Sequence, residues 1–518
     1  MPFKQGGVIA SGDPLTSQAG CEILKAGGNA YDAAVGATLM SFVAGSAITS
    51  AGGGGFMLAM PYQKRATLFD FFTQTPKHKG KKERLDFYPV TLNFGDSTQT
   101  FHIGLASAAV PGNFAGLFHV HRRLGKIPFR EIAIPAIEAA KNGVTVTSYI
   151  HNNINLVSPV INVCDTSRSI YLPDGKALAI GEKYALPYFS DLLEYMADNG
   201  VREFYEGEVA QRIVKDAGDL GGYLTMDDFR SFEVYERKPL SLNYRGFEIL
   251  TNPPPSAGGV LIAFMLKLLE QVSLSNFDYG SPGHLENLVK VMLLSNRARA
   301  DKLDGHGYKD DVLAQFLSDD HLRLFGDELL KNKRTPGNTT HVTVVDNEYN
   351  IATVTTSFGE GSGYTVPGTN IMLNNMLGEE DLNPQGFHRW PENQRITSMM
   401  SPTIVLDRQK PFLAMGSGGA NRIKTAILQV ITNLIDFSLP LSDAVNNGRI
   451  HCENNMIDIE PGIDPSVIDS MAVLNGIKKN YFERKSMYFG GVHCIKIDDG
   501  GGLVGAGDQR REGAVLSC

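Results

Sequence analysis

Residues 341–346, HVTVVD, and 350–357, NIATVTTS, alternate side-chain character with period two around a short polar turn. That pattern suits an antiparallel β-hairpin whose two faces meet different surroundings. A hairpin of this kind has to be covered, so the chain needs a layered fold. Residues 14–45 supply helices: Ala19, Ile23 and Leu24, then Ala30, Ala33, Ala34 and Ala37, recur at three-to-four spacing on either side of a Gly27-Gly28 break. AGGGGFMLAM leads into a buried strand, with ATLFDFF (66–72) as its hairpin partner. Segments 111–143, 186–217 and 257–300 read as helices, and SLNYRGFEIL (241–250) as one strand ending before Pro253. PTIVL with PFLAMG, then VHCIKI with GLVGAG, give two further strand pairs, separated by a helix at 422–437. Helices dominate the first part and strands the last, with no repeat or linker between them. The expectation is one composite α+β domain with helices covering sheets.

Several function classes are disfavoured. A net charge of -8, with a single basic run at Lys77–Lys82, offers no nucleic-acid footprint. Five scattered cysteines without CxxC spacing suggest neither a disulfide framework nor a zinc site, so a reducing, cytoplasmic setting is expected. No leader-like start and no long apolar window are read, so no membrane partner is expected. The run Gly52–Gly55 sits between a helix and a strand and has no following Lys, which argues for close backbone packing rather than phosphate binding. His119 and His121 are two apart on a helix and do not share a face, so no metal is expected. No cofactor is expected either.

Chemistry concentrates at the head of the hairpin, in KNKRTPGNTTHVTVVD (331–346). Asn338-Thr339-Thr340 fits a glycosylation acceptor, but that needs secretion. Threonines also favour a β edge and cap turns. The third reading is self-cleavage: the Thr339 hydroxyl attacks the carbonyl of Asn338 in a constrained turn, and water splits the resulting ester. Thr339 would then own a free α-amine with an ordinary pKa of about 7.7–8.0, close to ideal for a general base at neutral pH. Nucleophile and base become one residue. The stretch GSGGANR (416–422) turns from strand to helix and can present successive backbone N–H groups of Gly418, Gly419 and Ala420 to an oxyanion.

GNTTHVTVVD, LNNMLGEEDLNP, SMMSPTIVL, GSGGANRI, NPPPSAGG and GGNAYDAAV…AGGGGFML together resemble the γ-glutamyltranspeptidase family of N-terminal-nucleophile hydrolases, over nearly the whole chain. The resemblance implies a four-layer αββα sandwich and a precursor cleaved into a large segment, 1–338, and a small one, 339–518, which stay together. It also implies a small-molecule amide substrate. Thr339 would be the nucleophile and Asn338-Thr339 the cleaved bond. Ser357, or Thr355, would be the hydroxyl that bonds the nucleophile, and Gly419 and Ala420 the oxyanion amides. Alanine serves there unless its φ is positive.

Substrate recognition departs from the family pattern. Phe72, in Asp70-Phe71-Phe72-Thr73, stands where an arginine would grip the α-carboxylate of a γ-glutamyl group, and Ser398-Met399 replaces a serine pair. A phenyl ring in place of a guanidinium removes a bidentate contact and makes a carboxylate costly to desolvate. Glu379, Glu380 or Asp381 would still meet the α-amine. These residues favour an amidohydrolase or acyltransferase whose acyl group is more apolar than glutamate. The alternatives are an unprocessed relative that only binds a ligand or partner, and a true γ-glutamyltransferase acting on glutathione.

Overall fold

The computed structural model describes residues 6–80, 84–94, 98–299, 316–318, 339–383 and 385–518. Seven strands form one antiparallel sheet in the order Ala514–Ser517, Gly7–Ser11, Thr339–Asp346, Ile351–Ser357, Gly54–Met60, Thr67–Phe71, Tyr235–Arg237. Six more form a second, in the order Leu503–Ala506, Gly491–Ile497, Lys410–Gly418, Thr403–Asp407, Phe247–Thr251, Leu240–Tyr244. The sheets stack on each other. Helices Pro14–Lys25 and Ala30–Ala44 cover the outer face of the first, and Ala257–Glu270 and Arg422–Ile435 that of the second. The architecture is the expected four-layer αββα sandwich.

Alternation along each strand builds two cores. Val8, Phe56, Leu58 and Val345 meet Leu413 and Met415 between the sheets, whereas Met57, Ala59, Val342 and Val344 face the helices. Helix Ala30–Ala44 is buried along its whole length, which its small side chains permit. Its first amide donates to Asp346 Oδ2 at 2.9 Å, and Asn29 with Asp32 forms a reciprocal cap. The helix is thereby tied to the far end of the Thr339 strand. The glycine run packs backbone on backbone as expected: a Cβ on Gly53 would lie 2.2 Å from the Ser357 carbonyl oxygen.

Two expectations need correction. Residues 241–250 are not one strand but a tight hairpin, Leu240–Tyr244 with Phe247–Thr251, because Arg245 and Gly246 both adopt positive φ (51° and 85°) and reverse the chain. The cysteines are not all unpaired: Cys21 and Cys518 form a disulfide between helix Pro14–Lys25 and the C-terminal residue, with Cα atoms 5.4 Å apart. The pairing joins residues remote in sequence that only the fold brings together. The ground given above for a reducing setting therefore falls away.

In the uncleaved chain the disulfide closes a loop between residues 497 apart in sequence. Cys21→Ser is expected to cost about 2–4 kcal/mol, read as a lower thermal midpoint that reductant-treated wild type shares. Equal midpoints for the variant and the oxidised wild type would count against the bond.

Candidate active site at the head of the Thr339 strand

Thr339 is the first residue of strand Thr339–Asp346 and is buried. The antiparallel register sets Thr339 opposite Ser357, His341 opposite Thr355 and Thr343 opposite Thr353. Ser357, and not Thr355, is therefore the cross-strand partner of Thr339. Thr355 is committed elsewhere, with its hydroxyl 2.8 Å from His341 Nδ1.

The three cross-strand pairs form a polar ladder that faces the second sheet. His341 Nε2 lies 2.8 Å from Thr343 Oγ1 and 3.1 Å from Thr353 Oγ1. Thr343 donates to His493 O and Thr353 to Met415 O, both across the sheet interface. Gly416 makes room for the imidazole, since a Cβ there would lie 2.2 Å from its Cε1. Burial and neighbouring His493 push the His341 pKa well below its ordinary value, so the ring is neutral and structural. It is not a base for Thr339.

The Thr339 carbonyl accepts from Arg511 Nη1 at 2.9 Å and packs on Gly418, whose Cβ would lie 2.2 Å from it. Strand Lys410–Gly418 therefore delivers the glycine turn directly beside Thr339. Gly419 (φ 119°) and Ala420 (φ 46°) reverse the backbone before helix Arg422–Ile435. Their carbonyls accept from Arg422 N and Ile423 N, each at 3.0 Å. A trans peptide holds C=O and N–H antiparallel, so the Ala420 N–H points away from the helix. The positive φ at Ala420 is the one case in which alanine carries a cost here, about 1 kcal/mol or more.

A cavity of about 510 Å³, counted to its open mouth, brings the sequence-derived residues together. Thr339, Ser357 and Ala420 line it with Phe72, Ser398 and Met399. Asp381 and Glu379 also line it; Glu380 does not, because the turn Glu380–Leu382 leaves its side chain exposed. Gly419 lies behind the lining, against Gly490. Asn338 lies outside the described residues. A second cavity, of about 620 Å³, touches Thr339 together with Asp13, Tyr149 and Arg511, but not Phe72, Glu379, Asp381, Ser398 or Met399.

Phe72 stacks on Phe56 with centroids 5.5 Å apart, and its carbonyl accepts from Arg395. That arginine lies 3.2 Å from Asp70 and stacks on Phe232 and Tyr235, outside the cavity lining. The arginine that the cavity does hold, Arg299, donates to the Asp381 carbonyl at 3.3 Å. Sequence reasoning missed Arg299, Asn421 and Arg511. Asn421 precedes a helix, where an asparagine usually caps; its side chain makes no cap and reaches Asp381 Oδ2 at 2.8 Å instead. His119 and His121 go to Glu236 and to the Ile127 carbonyl, and share no ligand.

Two outcomes are expected. Ala420→Gly should raise stability by about 1 kcal/mol in denaturant titration by removing the positive-φ cost; a loss would show that the turn is unstrained. Burial also holds the His493 pKa down at about 4, against 6.5 for the free side chain. Its contribution is complete above pH 6.5 and is lost as pH falls toward 4, up to about 3 kcal/mol. A denaturation midpoint flat between pH 7 and 4 would contradict this.

The family model for gamma-glutamyltranspeptidase matches residues 16–518. The chain is 28% identical to the glutathione hydrolase proenzyme of Escherichia coli, covering 98% of this chain and 90% of that protein. It is also 28% identical to the acylase ACY 1 proenzyme of a Pseudomonas strain (99% and 93%), and 26% identical to the capsule biosynthesis protein CapD proenzyme of Bacillus anthracis (98% and 90%). The fold superposes on a cephalosporin acylase from Bacillus halodurans with a TM-score of 0.85 at 23% identity, over 99% of this chain and 96% of that one. The chain belongs to the gamma-glutamyltranspeptidase family and has its N-terminal-nucleophile hydrolase fold.

Proposed function

We propose that this protein is a self-cleaving amidohydrolase or acyltransferase that works through an acyl-Thr339 intermediate. The observation that carries the reading is the placement of Thr339: first in its strand, opposite Ser357, beside the Gly418–Ala420 turn and on the cavity wall. Cleavage of the Asn338-Thr339 bond divides the chain into 1–338 and 339–518 and frees the Thr339 amine. That amine takes the hydroxyl proton as Oγ1 attacks the amide carbon. The Ser357 hydroxyl steadies Oγ1, and the amides of Gly419 and Ala420 hold the oxyanion. The tetrahedral intermediate collapses with the proton passing to the leaving amine, and water or a second amine then takes the acyl group from Oγ1.

The acyl group differs from γ-glutamyl. Phe72 is locked in the core by Phe56 and Arg395, and Met399 stands beside Ser398, so this wall offers an α-carboxylate no cation. Desolvating a carboxylate against it is unfavourable.

Electrophoresis tests the chemistry. Cys21 and Cys518 lie on opposite sides of the cleaved bond, so processed wild type should run as one species without reductant and as two with it. Thr339→Ala should stay whole in both. A wild-type chain that remains intact under reduction, after prolonged incubation, would refute the mechanism.

A further inference from the structure

Three buried polar atoms that line the acyl cavity have no partner among the described residues: Glu379 Oε1, Asn421 Oδ1 and Thr397 Oγ1. Glu379 is 7% exposed and lines the cavity, yet its Oε1 has no hydrogen-bond partner among the described residues. The backbone leaves room for this carboxyl: a Cβ on Gly359 (φ 69°) would lie 2.2 Å from Oε1. Asn421 is 2% exposed, lines the same cavity, and its Oδ1 also has no partner among those residues. Its Nδ2 is fully engaged, 2.8 Å from Asp381 Oδ2 and 3.4 Å from Glu453 Oε2. Two carboxylates around one end of the amide fix which end is nitrogen. An acceptor left bare at such depth is costly unless water in the cavity or a ligand supplies the donor.

Around these atoms the carboxylates of Asp381 and Glu453 meet two cations, Lys424 on Glu453 and Arg299 at the Asp381 carbonyl. Burial, with Glu360 and Asp381 nearby, raises the Glu379 pKa well above the ordinary carboxyl value. An incoming cation would reverse that. Phe72, Met376 and Met399 give the wall an apolar stretch that suits a methylene chain, beside which Thr397 and Ser398 also line the cavity. Arg395 is held by Asp70 outside the cavity, and Arg299 sits at the Asp381 end of it, bonded to the backbone.

Resting on the reading of Thr339 as the acyl acceptor, we propose that the acyl group carries a protonated primary amine and no carboxylate beside it: a short ω-aminoacyl amide of the 4-aminobutyryl type, with Glu379 and Asn421 as the ammonium acceptors. Such a group keeps the cation that the bare acceptors call for and drops the anion that Phe72 cannot pair. A three-donor ammonium matches an acceptor set drawn from Glu379 Oε1, Asn421 Oδ1 and the Asp381 carboxylate.

Binding and turnover are measured separately. By calorimetry on the full-length wild type, 4-aminobutanamide should bind at least tenfold more tightly than butanamide or glutamine, and Glu379→Gln should lose about tenfold to hundredfold of that advantage. By kcat/KM, the 4-aminobutyryl anilide should exceed both the butyryl and the γ-glutamyl anilide, and Glu379→Gln should narrow its ratio to the butyryl compound by a similar factor. Tight 4-aminobutanamide binding without turnover of any anilide would uphold the ammonium site and refute the role of Thr339. Turnover led by the butyryl anilide would overturn the ammonium site and leave the acylase reading standing. Preference for glutamine and the γ-glutamyl anilide would overturn the proposal by showing that Arg299 supplies the carboxylate contact. Should Glu379→Gln fail to fold, the wild-type ligand order alone decides the question.

Discussion

The register of one hairpin governs the rest of the site. Strands Thr339–Asp346 and Ile351–Ser357 are buried on both faces, so a slip of one residue would exchange Thr339 for Thr340 at the cavity and move Val342 to the inter-sheet face. The hydrogen-bonded ladder of His341, Thr343, Thr353 and Thr355 opposes such a slip. Each member is buried, and each would lose partners that hydrocarbon neighbours cannot replace. A neutral imidazole serves here because it donates through one nitrogen and accepts through the other. Gly416 allows the second sheet close enough to seal the ladder.

From that ladder the cavity is assembled out of distant pieces. Phe72 follows one strand of the first sheet, Glu379 and Asp381 belong to a connection beyond Ser357, and Ala420 and Asn421 follow a strand of the second sheet. Buried charges hold these pieces in relation. Lys424 pairs with Glu453 at 3.3 Å beneath the glycine turn, and attraction from that lysine, with His451, keeps the Glu453 pKa far below its ordinary value against the opposing effect of burial. Asn421 links that pair to Asp381. Removing one partner of such a group leaves a buried charge uncompensated, which costs more than the intact pair contributes. The Asp381 end of the cavity is consequently tied to the Gly418–Ala420 turn.

Much of this was legible from the chain. Period-two alternation marked the hairpin, small residues at helical spacing marked the covering helix, and the hydroxyl pair after Pro-Gly-Asn marked the head of the strand. Local rules also misled in places. Residues 241–250 read as one strand because Arg245 is not an obvious turn residue, yet it takes positive φ beside Gly246. Of the three acidic candidates, Glu379 and Asp381 line the cavity while Glu380 is exposed, and nothing in the run GEEDL ranks them.

Period, spacing and side-chain chemistry are local properties, and they sufficed for the layer types and for the threonine that heads the central hairpin. Pairings between residues far apart in sequence belong to the tertiary structure. Cys21 meets Cys518, Asp70 takes Arg395 away from the cavity, and Asn421 turns from capping its helix to bridging two carboxylates. Each depends on distances that open only when the two sheets stack. No window of sequence carries that information, because the free energy of each contact is set by the burial and charge of partners supplied by other layers.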